Sequence, residues 1–291
     1  MGAEQPSPKV ALVVPTHNRK AKTLRFLTQI ADQTYGALQV IVVDAGSRDG
    51  TPEAVNQQFP LTVVLPVNAQ NFWAGATNAG VSYALKAGCD YVLTINDDAV
   101  VQPDHVERLV NLAEHLRIRI LGNQINYLAD RDRIWSLGTY TAWGTQDFLR
   151  LAHSDASQRD LAPEVAEATV ITVDALPGNG VLIHHSVYRQ IGLYNAIFLP
   201  HYHADSELVM RAVGQGISAY VTPQVVLYND FSAAQKQLSL GSVRGLAYAL
   251  GHKKSHLYLP ALLYIFCRYC PLRQKGRTLK ALGQRFGQMR R

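Results

Sequence analysis

The chain has 291 residues, of which 47% are apolar, and its formal net charge is +6 at pH 7. This length and apolar content exclude an intrinsically disordered protein and suffice for one large α/β domain or two small ones. The three cysteines are too few for a disulfide framework and indicate a reducing compartment. The first nine residues lack the apolar segment of a secretory signal, so we expect the protein to stay inside the cell.

Charge is unevenly distributed along the chain. The last 61 residues hold 12 of the 28 Lys and Arg residues and none of the 22 Asp and Glu residues. The first 230 residues are therefore acidic, so the two parts of the chain are suited to different partners. A basic tail that also carries aromatic residues indicates contact with an anionic surface such as phospholipid headgroups.

Short apolar runs alternate with helical segments through the first hundred residues. Strands are predicted at residues 10–14, 38–43, 61–65 and 91–95, and helices at residues 20–33, 52–58 and 75–86, with a loop over residues 68–73. Such β-α alternation predicts an α/β fold with a mostly parallel central sheet, flanked by helices and joined by right-handed crossovers.

Two adjacent carboxylates, Asp97 and Asp98, follow the strand predicted at residues 91–95. In open α/β sheets the binding crevice lies outside the carboxyl ends of the strands. Two carboxylates there can hold a divalent cation, which in turn neutralises a diphosphate. The alternative is a solvated loop before the next helix, because paired Asp residues are common in turns.

The turn after the first strand, Pro15 to Arg19, disfavours two common nucleotide-binding classes. It has no glycine-rich turn that could bring backbone amides onto a pyrophosphate, and the sequence contains no P-loop. A nicotinamide-dependent or an ATP-hydrolysing enzyme is therefore disfavoured.

Several motifs stand in order at the predicted strand ends: PTHNR at residues 15–19, VVDAGSRDGT at 42–51, Asn71 with Gly75, Asn78 and Gly80, and NDD at 96–98. Together they resemble the nucleotide-binding half of glycosyltransferase family 2 enzymes of GT-A fold. The resemblance continues through PGNGVLI at 177–183 and HADSELVMRA at 203–212, and it is greatest to bacterial rhamnosyltransferase-like members. It implies a GT-A catalytic domain over residues 1–230, with a nucleotide-sugar-binding half at 9–125, an acceptor-side half at 126–230, and a basic amphipathic helical tail at 231–291.

The resemblance implies a donor site at the strand ends. Asp44 would accept hydrogen bonds from a pyrimidine ring, and Thr16 and Arg19 would line the same pocket. For Arg19 the alternative is a plain surface cation at a helix start. The residues assigned to the donor are Pro15, Thr16, Asn18, Arg19, Asp44, Asn71, Trp73, Gly75, Asn78, Asn96 and Asp97.

Residues 96–98 occupy the family's Asp-x-Asp position, and Asp98 is assigned to a metal ion, Mg²⁺ or Mn²⁺. Asn96 replaces the first carboxylate of that motif, and residues 224–230 lack the histidine that many members offer to the metal or the diphosphate. Because Mg²⁺ takes one or two carboxylates and completes its shell with phosphate oxygens and water, one carboxylate can suffice.

Residues 203–207 match the family's acidic pair at the start of a helix, which implies Asp205 as the base that removes the acceptor's proton. A helix N-terminus favours the ionised form, so we expect Asp205 to be charged at neutral pH. The alternative for Asp205 is an N-cap, and the two roles are compatible. The residues assigned to the acceptor are His201, His203 and Glu207.

Two further patterns bear on the acceptor side. Trp135 and Trp143 lie between residues 126 and 172, where the β-α alternation fails, and we expect an antiparallel strand and lid there that stack on a sugar. A zinc cluster formed by His184 and His185 with the two acceptor-side histidines is a weaker alternative.

The apolar run at residues 257–267 is too short to cross a bilayer. Flanked by Lys253, Lys254 and Arg268, it fits an interfacial segment on an anionic leaflet. The alternative is a helix packed on the catalytic domain with a solvated basic end. No recognised nucleic-acid-binding module accompanies this charge, so we expect no nucleic acid partner.

The sequence thus predicts an inverting hexosyltransferase that moves rhamnose or another hexose from a UDP- or dTDP-sugar to a glycan or lipid-linked acceptor. We expect it to act in cell-surface polysaccharide assembly, peripherally bound at the cytoplasmic face of the plasma membrane. Two other classes remain open. One is a donor-binding subunit without catalysis, suggested by Asn96, by Ala204 in place of the first residue of the acidic pair, and by the missing histidine at residues 224–230. The other is a nucleotidyltransferase, but such enzymes normally have a glycine-rich, basic loop at the first strand end, which Pro15 to Arg19 lacks.

Overall fold

A computed structural model describes residues 6–231 and 243–288, so residues 232–242 and 289–291 of the predicted tail lie outside the described residues. The strands are β1 Val10–Thr16, β2 Leu38–Asp44, β3 Val63–Pro66, β4 Tyr91–Thr94, β5 Ala99–Val100, β6 Ile120–Tyr127, β7 Ile134–Ser136, β8 Thr139–Thr141, β9 Leu149–Leu151, β10 Ile171–Val173, β11 Val181–His184 and β12 Ala219–Asn229. The helices are α1 Lys20–Ala31, α2 Thr51–Gln58, α3 Phe72–Lys86, α4 His105–Leu116, α5 Pro163–Ala166, α6 His185–Ile191, α7 Ala204–Val213, α8 Val243–Gly251, α9 Leu259–Tyr269 and α10 Lys275–Gln288.

The central sheet has the strand order β10-β12-β6-β11-β4-β1-β2-β3. The half formed by β4, β1, β2 and β3 is parallel throughout, because β1 pairs in parallel with both β2 and β4, and β2 pairs in parallel with β3. In the other half β11 runs antiparallel to β4 and β6, while β6 and β12 are parallel. The predicted α/β architecture is confirmed, and the antiparallel β11 makes the complete sheet mixed.

Both faces of the sheet are covered by buried side chains, as parallel strands require. Successive residues of β1 point to opposite faces: Ala11 and Val13 join the core shared with α3, α7 and α9, whereas Leu12 joins the core shared with α1 and α4. Helix α3 lies very close to the sheet at Gly80, where a Cβ atom would lie 2.4 Å from Val13 Cγ1. This close packing fixes the helix that carries Trp73.

The beginning of α3 differs from the expected structure. A 3₁₀ turn, Ala69–Asn71, is followed directly by the helix at Phe72, so the predicted loop to residue 73 is too long. The side chain of Asn68 accepts a hydrogen bond from the backbone N–H of Gln70 and thereby caps the turn. Trp73 therefore belongs to the first helical turn.

The C-terminal helix α9 packs on the domain. Ala261, Leu262 and Ile265 are buried in the same core as α3 and α7, and the Tyr269 hydroxyl donates a 2.6 Å hydrogen bond to Glu207 Oε1. The alternative of a helix packed on the catalytic domain therefore describes α9. Across the described ranges, every helix is too short or too polar to span a bilayer.

His105, at the start of α4, gives the fold a specific pH dependence. Its side chain is 1% exposed, and burial lowers the pKa of His105 to about 4. In an unfolded chain the pKa of histidine is about 6.5. Between these values the unfolded chain binds a proton that the folded chain does not, so stability falls as the pH falls through this range.

We therefore expect acidification from pH 7 to pH 4 to lower the free energy of unfolding of the wild type by about 3 kcal/mol more than that of His105→Leu. Urea denaturation at a series of pH values measures this difference. His115→Gln is the matched control, because His115 is exposed at the end of the same helix. The same pH profile in the wild type and in His105→Leu would refute the effect.

Candidate active site

The carboxylates that follow β4 lie against the start of α1. Asp97 is buried, and its Oδ2 accepts hydrogen bonds from the hydroxyls of Thr16 (2.8 Å) and Thr23 (3.0 Å). Burial raises the pKa of Asp97, although Arg19 and the two hydroxyls act in the opposite direction. The solvated-loop alternative is wrong for Asp97, because its carboxylate is fixed by groups from β1 and α1.

Arg19 joins the two carboxylates. Its Nη1 lies 3.0 Å from Asp97 Oδ1, and its Nη2 lies 2.5 Å from Asp98 Oδ2. Burial alone would lower the pKa of Arg19, but Asp97 and Asp98 outweigh burial and raise it, so the guanidinium stays charged. Arg19 is therefore not a plain surface cation. Arg19, Asp97 and Asp98 together carry one positive and two negative charges. Their net negative charge suits the binding of a further cation.

Asp44 ends β2 directly beside Thr16, which is its register partner at the end of β1. Asp44 is buried; its Oδ2 accepts a 3.0 Å hydrogen bond from the N–H of Ser47. Its Oδ1 is also buried and has no hydrogen-bond partner within the described ranges. Because a buried carboxylate oxygen without a partner is costly, Oδ1 is a candidate contact for a ligand's N–H group.

Asn18 and Pro15 shape the backbone around Asp44. The N–H of Asn18 donates to Ser47 Oγ, and its Oδ1 accepts from the N–H of Arg48, both at 2.7 Å. Pro15 lies within β1, opposite Val43. These contacts tie the loop after β1 to the loop after β2, so Asn18 fixes two walls of the strand-end crevice.

Asn96 connects the donor-side cluster to the centre of the sheet. Its Oδ1 accepts a 3.1 Å hydrogen bond from Trp73 Nε1, and its N–H donates to Asn179 Oδ1 at 2.9 Å. Asn179 Nδ2 in turn donates to Asn229 Oδ1 at the end of β12, at 3.1 Å. Sequence reasoning gave Asn179 no role, although the motif at 177–183 that contains it was recognised.

Asp205 is the second residue of α7, and both of its oxygens meet backbone amides. Oδ2 accepts from the N–H of Gly178 at 2.6 Å, and Oδ1 accepts from the N–H of Ser206 at 2.8 Å. His203 holds the N-cap position, with a φ of 68°. The N-cap alternative for Asp205 is therefore wrong.

The surroundings of Asp205 are mostly apolar. It lines a small cleft with Leu176, Val181, Ile183, Tyr194, Leu208 and Val209. Burial raises the pKa of Asp205, and the hydrogen bonds from Ser206 and Gly178 oppose that rise. Desolvation is therefore the largest effect on the pKa of Asp205, and it opposes the stabilisation of the charged form that we expected from the helix N-terminus.

Gly178 brings Trp73 and Asp205 together. A Cβ atom on Gly178 would lie 2.7 Å from the Trp73 ring and 2.9 Å from Asp205 Cβ. Both side chains therefore contact the same glycine, and only a residue without a side chain fits between them. Through Trp73 and Asn96, the contacts run without a break from Asp205 to the carboxylates after β4.

Three residues assigned to the donor from the sequence make other contacts. Both polar atoms of the Asn78 side chain bond the backbone of Tyr194, at 2.9 Å each, and Tyr194 packs edge-on against Trp73 with ring centroids 5.4 Å apart. Asn71 precedes α3 and packs on Gly75, where a Cβ atom would lie 3.0 Å from Asn71 Cβ. Asn78 thus fixes Tyr194, which packs against Trp73. Asn71 and Gly75 pack together at the start of α3.

Glu207 does not reach the strand-end crevice. It is fully buried: Oε1 accepts from the Tyr269 hydroxyl, and Oε2 forms a 3.2 Å ion pair with Arg211. Both oxygens are engaged, so the side chain joins α7 to α9 and is not offered to an acceptor. The sequence could not indicate this, because Tyr269 lies 62 residues away.

His201 and His203, the two histidines assigned to the acceptor from the sequence, flank Tyr202 just before α7. Burial lowers the pKa of His201 to about 4, and Lys254 and His252 act in the same direction. His203 Nε2 lies 3.0 Å from the carbonyl oxygen of His256. His201 is therefore neutral at pH 7, and His203 contacts the segment between α8 and α9.

Few of the described side chains could act as ligands of a metal ion. Within residues 6–231 and 243–288, no three His, Cys, Asp or Glu side chains form a group that could hold a metal, which excludes the zinc cluster there. Asp98 Oδ1 is nevertheless buried and lacks a hydrogen-bond partner in the same ranges. One such oxygen fits Mg²⁺ or Mn²⁺, which prefer oxygen ligands and complete their shell with phosphate and water.

The chain is similar to several known proteins. The family model described as "Glycosyl transferase family 2" matches residues 11–166. An N-acetylglucosaminyl-diphospho-decaprenol L-rhamnosyltransferase of Mycobacterium tuberculosis is 29% identical over 268 residues, covering 85% of this chain and 83% of the relative. An N-acetylglucosaminyltransferase of Mesorhizobium japonicum is 34% identical over 139 residues, covering 44% of this chain and 30% of the relative. An uncharacterized glycosyltransferase of Haemophilus influenzae is 26% identical over 110 residues, and the match spans only 34% of its length.

Two solved structures share the fold. S. aureus TarS 1-349 superimposes with a TM-score of 0.53, covering 97% of this chain and 80% of that chain, and GalNAc-T7 with UDP, GalNAc and Mn²⁺ superimposes with a TM-score of 0.64, covering 96% and 55%. Both are 14% identical in sequence, so they bear on the fold alone. They support the predicted GT-A architecture, and the family match covers more than half of the chain. The chain therefore belongs to glycosyl transferase family 2, and the protein is a glycosyltransferase.

Proposed function

We propose that the protein is an inverting hexosyltransferase that transfers a sugar from a UDP- or dTDP-sugar to a lipid-linked glycan in cell-surface polysaccharide assembly. The observation that carries this proposal is the unbroken series of contacts from Asp44 through Asp97 and Asp98 to Asp205. The M. tuberculosis relative, named for rhamnosyl transfer to N-acetylglucosaminyl-diphospho-decaprenol, favours L-rhamnose as the sugar and a prenyl diphosphate-linked acceptor.

The donor is bound at the strand ends. Asp44 Oδ1 accepts a hydrogen bond from the pyrimidine ring, and Trp73 flanks the sugar. Mg²⁺ or Mn²⁺, held by Asp98 together with the diphosphate, would supply positive charge to the departing group. Arg19, which is also paired with Asp97, holds Asp98 Oδ2 in place, so Asp98 Oδ1 is the oxygen that would face the metal.

Asp205 acts as the general base. It takes the proton from the acceptor hydroxyl as the oxygen bonds to the anomeric carbon and the bond from that carbon to the diphosphate oxygen breaks. One displacement inverts the anomeric configuration. The raised pKa of Asp205 brings the base closer to neutral pH, where proton transfer is most effective.

The test of the proposed function is acceptor-dependent nucleotide release. The protein is incubated with dTDP-rhamnose or with other dTDP- and UDP-hexoses, with and without N-acetylglucosaminyl-diphospho-decaprenol, and the free nucleotide is measured. Release that depends on the acceptor supports the transferase. Donor binding without release would instead support a binding subunit, and release of pyrophosphate from a nucleoside triphosphate would support a nucleotidyltransferase.

The same proposal includes peripheral attachment at the cytoplasmic face of the plasma membrane. Phe198 stacks on Tyr264 of α9 with ring centroids 4.9 Å apart, and the adjacent Ile197 and Leu263 are 82% and 46% exposed. The loop before α7 and helix α9 thus present one apolar surface. The chain after Asp230 contains no acidic residue, which suits an anionic leaflet.

We expect Ile197→Asp combined with Leu263→Asp to weaken binding to anionic phosphatidylglycerol vesicles by at least about tenfold, because each change removes an inserted aliphatic side chain and adds a repelled charge. Co-sedimentation measures the bound fraction. Leu61→Asp is the matched control, because Leu61 is 95% exposed just before β3. Equal sedimentation of all three proteins would contradict the attachment surface.

A further inference from the structure

The C-terminal part of the chain, from Lys253 onward, contacts three separate segments of the domain. Lys253 lies over the ring of Phe72 at the start of α3, 5.5 Å from its centroid, and the carbonyl of His256 contacts His203 before α7. The N–H of Gly144, between β8 and β9, donates a 2.8 Å hydrogen bond to Thr278 of α10. The chain from Lys253 to Thr278 therefore packs on the domain and forms a wall beside these three segments, in addition to being basic.

This wall and the hairpin β8–β9 border a cavity of about 170 Å³ that is open to solvent on one side. Residues 147–149 form one side, His203 forms the second, and His256, Leu257 and Leu262 form the third. His203 precedes Asp205 by two residues, so their Cα atoms are at most about 7 Å apart. The cavity therefore lies beside the N-terminal end of α7, the helix that carries Asp205.

The lining has an amphipathic character. Phe148, Leu149, Leu257 and Leu262 supply apolar surface, and Asp147, His203 and His256 supply hydrogen-bonding groups. A pyranose ring has the matching chemistry, because its C–H groups pack on apolar side chains while its hydroxyls bond carboxylate and imidazole groups. Pockets for drug-sized ligands measure about 300–1,000 Å³, so this smaller cavity suits one sugar ring.

We propose that this cavity binds the terminal sugar ring of the acceptor, and that Asp147 and His256 determine which ring is accepted. The proposal rests on the glycosyl transfer proposed above, and it gives the C-terminal segment a part in acceptor recognition. Asp147 and His256 both have exposed side chains. His256 contacts His203 through its backbone carbonyl, so His256→Ala preserves that contact.

The first test is steady-state kinetics of His256→Ala and Asp147→Ala with dTDP-rhamnose and N-acetylglucosaminyl-diphospho-decaprenol. Each variant is expected to raise the acceptor KM about tenfold and to leave the donor KM unchanged, as the loss of one hydrogen bond to a substrate predicts. His115→Ala and Glu164→Ala are matched controls, since both side chains are exposed on helices α4 and α5, outside the cavity lining. An unchanged acceptor KM in both cavity variants would overturn the proposal.

The second test does not depend on turnover. Saturation-transfer NMR measures binding of methyl N-acetylglucosaminide to the full-length protein, and we expect the signal to weaken in His256→Ala and to persist in His115→Ala. Equal signals in the two variants, or no signal in the wild type, would overturn the cavity assignment. A wild type that binds the glycoside but releases no nucleotide would support the cavity and contradict the proposed transfer.

Discussion

Asp205→Asn is expected to lower the rate of sugar transfer about 10³-fold while donor affinity stays unchanged. The amide cannot take a proton from the acceptor hydroxyl, and removal of a general base typically costs 10²- to 10⁴-fold. Asn keeps the shape of the side chain and one oxygen, so the hydrogen bond from Gly178 can be retained. Transfer is measured as acceptor-dependent nucleotide release, and donor affinity by calorimetry with dTDP or UDP.

Asp160→Asn is the control for this experiment, because Asp160 is an exposed carboxylate outside the lining of the cleft at Asp205. A normal rate in Asp205→Asn would remove Asp205 from the role of base. The pH profile gives an independent readout. In the wild type, kcat/KM should fall as the pH is lowered and Asp205 becomes protonated. Because burial raises the pKa of Asp205, the midpoint of this fall should lie above about 4, the ordinary pKa of aspartate.

Asp98→Ala is expected to weaken nucleotide binding by about tenfold to a hundredfold and to abolish its response to Mg²⁺. The change removes the unpartnered carboxylate oxygen, and a contact with a charged group is worth about 1.5–3 kcal/mol. Arg19 retains its ion pair with Asp97, so the fold should persist, which thermal unfolding checks. Calorimetry with dTDP or UDP, with and without MgCl₂, measures the effect.

Asp104→Ala is the matched control for Asp98→Ala. Asp104 forms a surface ion pair with Arg108 at 3.8 Å, and such exposed pairs contribute little. If Asp98→Ala binds the nucleotide as tightly as this control, with the same magnesium response, then Asp98 holds neither the metal nor the diphosphate.

The sequence was most informative where function depends on strand ends. Asp44, Asp97 and Thr16 each follow or end an apolar run that becomes a parallel strand, so the sheet itself brings them to one edge. The identity of the fold and of the family was predictable for the same reason, since the motifs stand at fixed places in the β-α alternation.

The contacts made by Glu207 and Asn78 were not predictable. Glu207 is buried by Tyr269 of a distant helix, and Asn78 is engaged by the backbone at Tyr194, 116 residues away. A motif gives residue types at a local spacing, whereas burial depends on what packs there from elsewhere in the chain. For this reason the direction of the pKa shift of Asp205 also required the structure.

The most direct test of the central claim, that one site extends from Asp44 to Asp205, is a crystal structure of the protein with dTDP-rhamnose and Mn²⁺. The account predicts the pyrimidine at Asp44, an anomalous peak for Mn²⁺ beside Asp98, and the anomeric carbon facing the cleft that contains Asp205. A nucleotide bound in a cavity that excludes Asp44 and Asp98, or a sugar directed away from Asp205, would contradict it.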